Sequence, residues 1–152
     1  MHVLNWLLPA VFDNTFSGPR KALWCFYALT ALTLWRSWHH LTALDGGARS
    51  IATVPLDSYP AGAAATVIGV FALWGLSQVI AGLSYLMAAI RYRLMIPLFY
   101  LLMVVEYAVR MLIGGFKPIE TADTAPGAVG NLPLMTLALV ILVLRLISRK
   151  SN

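Results

Sequence analysis

The run GAAATVIGVFALWGLSQVIAGLSYLMAAI, residues 62–90, passes 29 residues without a charged side chain. As a helix rising ~1.5 Å per residue it would cover about 43 Å. That exceeds the ~30 Å hydrocarbon core of a bilayer, so the helix must tilt, kink or project beyond it. Three more apolar stretches accompany it, at about 22–41, 94–116 and 131–147. Backbone groups in lipid must bond within their own segment, so four such spans imply a helix bundle. The expected fold is all-α: a polytopic membrane protein with four transmembrane helices in one domain over residues 1–152. Composition agrees, with 60% apolar and only 11% charged residues. Soluble domains carry about 25% charged residues.

Residues 1–21 are apolar but broken by Pro9, Asp13 and Pro19. They suit a short interfacial segment better than a span. The chain start lacks the charged lead, short apolar core and small-residue site of a removable signal peptide, so the protein is expected to be retained whole. Cys25 is the only cysteine, which excludes an intrachain disulfide. Inside a span it reads as a small apolar residue.

The net charge of +5 does not point to nucleic acid, because the basic residues flank apolar segments and form no patch. Arg20, Lys21, Arg91, Arg93, Arg145, Arg149 and Lys150 gather on one side of the spans. Arg36, Arg49 and Lys117 belong to the other. Excess Lys and Arg marks the cytoplasmic face, so both termini are expected to be cytoplasmic. The loops 42–61 and 117–130 then face outward. Trp35, Trp38 and Tyr59 fit an outer aromatic belt and Tyr92 an inner one.

Two charges inside the third span, Glu106 and Arg110, need a reason. A charge at the bilayer centre costs at least ~2.5–3.5 kcal/mol on insertion scales. Four residues apart, the two share a helix face and can pair. Depth counted along each span places Gln78 near Glu106 and Arg36 near Arg110. Gln78 lies on the stripe Gly75, Gln78, Gly82, Tyr85, Ala89, where the glycines Gly75 and Gly82 permit close helix packing. Thr30, Thr33, Ser37 and His40 form a second stripe on the first span. The expected polar cluster is Glu106, Arg110, Gln78 and Thr33, with Arg36 and His40 nearer its outer mouth. The fourth span is almost without polar groups and should pack outside this cluster. The cluster suits three uses: a pair that fixes helix register, a binding or proton-handling site, or a partner interface.

His39 and His40 are adjacent, so on a helix they point about 100° apart and rarely hold one ion; no metal site is expected. No P-loop, HExxH, CxxC or nucleophile-elbow pattern occurs. Soluble-type catalysis therefore has no support.

The stretches ALWGLSQVIAGLSYL, IRYRLMIPLFYLL and EYAVRMLIGGFKP fall between Phe71 and Pro118. Together they resemble the DoxX-like group of small four-helix bacterial membrane proteins. The resemblance covers the middle third of the chain and rests on Glu-x3-Arg followed by Gly and Pro, here Glu106, Arg110, Gly115 and Pro118. It implies a multi-pass protein of a bacterial inner membrane, in a group where some members are small subunits of quinone-linked oxidoreductases. The fourth span departs from relatives that place an acidic residue there. Two functions are expected, the first preferred and the second its alternative. One is an accessory or assembly subunit without catalysis of its own, partnered by membrane lipid and by other subunits or copies of itself. The other is a lipid- or quinone-binding protein that uses the Glu106–Arg110 cluster.

Overall fold

The computed structural model of the chain describes residue 11, residues 13–16 and residues 18–150. The expected interfacial segment therefore lies mostly outside the described residues. Four helices follow one another: α1 (Arg20–Thr42), α2 (Ala61–Ile90), α3 (Ile96–Phe116) and α4 (Pro126–Lys150). Single 3₁₀ turns at Leu56–Ser58 and Arg93–Met95 precede α2 and α3. No strand occurs among the described residues.

Proline sets most of the helix starts. Pro19 and Pro60 hold extended backbone immediately before α1 and α2. Pro97 sits in the first turn of α3, where a missing N–H costs no intrahelical bond. The fourth helix starts five residues before the expected Asn131, because Pro126 opens it in the same way and Pro133 is carried inside it.

Three helical stretches are long and apolar enough to cross a membrane: Ala61–Ile90, Arg93–Phe116 and Pro126–Arg145. The first helix is long enough but more polar, since it carries Arg36, Ser37, His39, His40 and several threonines. Its polar stripe is turned inward: Thr30, Thr33, Ser37 and His40 are all buried. Two of these hydroxyls are satisfied within the helix, Thr30 donating to the Phe26 carbonyl and Ser37 to that of Thr33.

The helices pack as two close pairs, α1 with α2 and α3 with α4, while α2 meets α3 only lightly. In the first pair glycine brings the backbones together. A Cβ on Gly75 would stand 2.8 Å from the His40 Cβ and 2.9 Å from the Leu41 nitrogen. One on Gly82 would stand 2.7 Å from Leu34 Cδ2. Aromatic side chains join the two pairs near the end where α1 begins. Phe26, fully buried, packs on Tyr85, Phe99 and Tyr100 with ring centroids 6.1, 6.4 and 5.5 Å away. The Tyr100 hydroxyl donates to the Ala22 carbonyl at 2.6 Å. Ala138, Ile141 and Leu142 of α4 complete this core. Arg145, counted from sequence among the flanking basic residues, is instead buried, with its guanidinium 4.7 Å from the Phe16 ring centroid.

At the opposite end the loop 43–60 folds back as a cap. Asp45 accepts hydrogen bonds from the backbone N–H groups of Gly47, Arg49 and Ser50 at 2.9, 3.1 and 2.7 Å. Gly46 and Gly47 take left-handed backbone, φ 59° and 73°, which makes the tight turn. Ala48, Val54 and Leu56 form a small second core against Val67, Ile68 and Phe71. The loop also grips its counterpart between α3 and α4. Ala122 N–H donates to the Thr53 carbonyl, and the Thr53 hydroxyl to the Asp123 carbonyl, both at 2.7 Å.

Candidate functional site

Between the aromatic core and the loop cap lies a band of polar side chains from α1, α2 and α3. Its centre is one oxygen, Glu106 Oε1. Gln78 Nε2 of α2 donates to it at 3.0 Å, and Arg110 Nη2, one turn along α3, donates to the same atom. A charge-assisted bond of this kind is roughly twice as strong as a neutral one. The three side chains are half-buried: Arg110 and Glu106 keep 19% and 30% of their side-chain surface. The group is thus reachable from outside the bundle.

Trp74, one turn before Gln78, extends the group toward α1. The Arg110 guanidinium lies 5.0 Å from its ring centroid and that of Arg36 5.9 Å. Arg110 also lies 5.8 Å from the Tyr107 ring. A guanidinium within ~6 Å of an aromatic face gains about 2 kcal/mol or more when desolvated. The buried His40 ring packs against Trp74 at a tilt of 55°, 4.7 Å between centroids. Its Nδ1 lies 2.8 Å from the Gly46 carbonyl, which can only accept, so that nitrogen carries a proton.

Charge in this band is unbalanced. Arg36 shares the Trp74 ring with Arg110, which is itself bonded to Glu106. Among the described residues Arg36 forms no ion pair, and its Nε is buried without a hydrogen-bond partner. Two guanidiniums therefore face one carboxylate.

Of the residues singled out from sequence, Glu106, Arg110 and Gln78 are bonded together, and Arg36 and His40 join them through Trp74. Thr33 stands apart. It is buried against α2, its methyl 3.5 Å from where a Gly82 Cβ would stand, and it makes no side-chain bond to Glu106. Gly75 and Gly82 lie at the α1–α2 contact. His39 and His40 diverge as helical geometry requires, His39 Nε2 lying 3.0 Å from the Ser50 hydroxyl in the cap. Among the described residues no three His, Cys, Asp or Glu side chains gather as metal ligands would. Trp74 and Tyr107 were not singled out. The signal available for Trp74 was its depth, because a tryptophan well inside a span is far from the interfacial belt where the residue usually sits.

No protein-family model matches this chain, and neither the curated proteins nor the solved structures contain a match to it.

Proposed function

We propose that the protein is a multi-pass protein of a bacterial inner membrane that binds a lipid-like molecule, a quinone or a lipid, by its polar head. The seat is the band of Glu106, Arg110, Gln78 and Arg36, and the protein carries out no catalysis of its own. In this reading all four helices cross the bilayer, α1 included, and both termini are cytoplasmic. The inward turn of the Thr30, Thr33, Ser37 and His40 stripe supports a spanning α1, because it leaves the apolar side of that helix for lipid. Kinship with the DoxX-like group belongs to the same proposal and rests on Glu106, Arg110, Gly115 and Pro118.

The observation that carries the reading is the half-exposed Gln78–Glu106–Arg110 network. Side chains from two different helix pairs converge on one oxygen, yet the charged atoms are not sealed off. A pair serving only to fix helix register has no need of charged atoms that can be reached from outside the bundle. An accessory or assembly subunit is the second reading. It draws on wide apolar faces, since only 6% of the most apolar stretch of α2 is buried. Acyl chains cover such faces as well as a partner protein does, so that observation favours neither.

Extraction from the native membrane in mild detergent, followed by mass analysis of the particle and its organic extract, tests the proposal. A small particle carrying a quinone or lipid, lost in Glu106→Gln at unchanged folded yield, is expected. A large particle with stoichiometric protein partners and no bound small molecule would favour the accessory role.

A further inference from the structure

We infer that the head group bound in this band is an anion, a carboxylate or a phosphate, and that Arg36 is the residue that selects it. The inference rests on the binding role proposed above and adds the chemical class of the ligand.

Arg110 already has its counter-charge in Glu106, whose Oε1 also holds Gln78. Arg36 has no ion pair of its own among the described residues and shares the charge of Glu106 only at longer range. Its Nε is buried without an acceptor, and what steadies the guanidinium is the Trp74 face 5.9 Å away. The same ring carries Arg110 at 5.0 Å, so two like charges share one aromatic platform. Stacking on a ring lowers the cost of a desolvated cation but cancels none of its charge. Arg36 is part-buried, and a partly desolvated cation beside a second cation favours a counter-ion. A neutral quinone carbonyl would accept a hydrogen bond from Arg36 and still leave the excess positive charge in place. A carboxylate or phosphate oxygen satisfies both demands, and guanidinium geometry suits either anion through paired N–H donors. The tail of such an amphiphile needs no dedicated tunnel. Leu102, Val105 and Val109 of α3 present an exposed apolar surface beside Glu106.

The test uses the full chain in nonionic detergent and counts bound molecules by native mass spectrometry. Four probes are compared: dodecanoate, dodecyl phosphate, dodecanol and a decyl-tailed benzoquinone. One anionic probe per chain is expected, at least tenfold tighter than dodecanol or the quinone. The preferred anion distinguishes a free fatty acid from a phosphate head group. Arg36→Gln should remove the tenfold preference and Arg36→Lys should keep most of it. The comparison of dodecanoate with dodecanol on the unaltered chain needs no variant, so a folding failure of Arg36→Gln does not blunt the test. If the neutral probes bind as tightly as the anions and are lost in Glu106→Gln, the anion inference falls while the binding role stands. If no probe binds, both fall. An anion preference that persists in folded Arg36→Gln would overturn the assignment to Arg36.

Discussion

Gln78 of α2 and Arg110 of α3 donate to the same oxygen of Glu106, which ties together two helices that otherwise meet only lightly. Energetic coupling between Glu106 and Arg110 follows. Glu106→Gln retains an amide oxygen able to accept from Gln78, so the fold should survive at reduced stability. Arg110→Gln leaves the carboxylate with a neutral donor. Full burial of such a pair makes loss of one partner cost about 3–5 kcal/mol. With part of each side chain exposed, about 1–2 kcal/mol per single variant is expected after screening. The double variant should lose less than the sum, by about 1 kcal/mol. Thermal melts of all four proteins in one detergent measure this, and strict additivity would show that the pair contributes no coupling.

Glycine at the α1–α2 contact leads to a graded series. Gly75→Ala places a methyl 2.9 Å from the Leu41 nitrogen, and backbone cannot step aside. A loss of about 1–3 kcal/mol is expected from overpacking. Gly82→Ala meets the tip of Leu34, a flexible side chain that can change rotamer, so the loss should be smaller. Gly69, in the same helix, has nothing within 4 Å of a new Cβ, and Gly69→Ala should be neutral or stabilise by about 0.5–1 kcal/mol. Melting temperatures ranked in any other order would mean that the two helices do not approach along this stripe.

These two sets of residues also show how far the chain could be read in advance. Helix positions were legible because uninterrupted apolar runs ended by Pro, Gly or basic residues leave little choice. The start of α4 was not, since Pro126 reads as a breaker until it is seen occupying a first turn. Counting depth along each span matched Gln78 to Glu106 and Arg36 to Arg110; Gln78 does bond Glu106, and Arg36 and Arg110 share the Trp74 ring. Depth says nothing about rotation, and Thr33 is turned toward Gly82. The role of Trp74 was hidden because a tryptophan within an apolar run reads as bulk. The loop cap was hidden for another reason: its turn depends on left-handed backbone at Gly46 and Gly47 and on three N–H groups closing around Asp45, none of which has a periodic signature.

Asp45 makes the cap sensitive to acid. Burial works to raise its pKa, but the bonds from the Ser50 and Gly47 backbone and the Ser50 hydroxyl outweigh it and hold the group at about 2. An unfolded aspartate titrates near 3.9. Because the folded value is the lower one, the stabilisation is fully present above about pH 4 and is lost as pH falls through 2. Asp45 is only part-buried, so screening limits the effect to about 1 kcal/mol or less. Asp45→Asn should remove that slope between pH 4 and pH 2. Hydrogen exchange of the Gly47 and Ser50 amides, followed down that range, reads it directly. Equal acid sensitivity in both proteins would assign the effect to another group.

Orientation is tested from the two ends of the bundle. Basic residues Arg20, Lys21, Arg91 and Arg93 lie at the end where α1 begins, and the proposed orientation, argued from the excess of Lys and Arg, has that end in the cytoplasm. The loop cap and Glu120 then face outward. In a Cys25→Ser background, Glu120→Cys should react with a membrane-impermeant maleimide on intact cells. Asn14→Cys, beside Arg91 and Tyr92, should react only once the membrane is opened. Both cysteines are expected at exposed positions, so reactivity reports sidedness and not burial. The reverse pattern would turn the polar band around, placing Arg36 nearer the cytoplasmic leaflet, and the amphiphile would then have to enter from the inner monolayer.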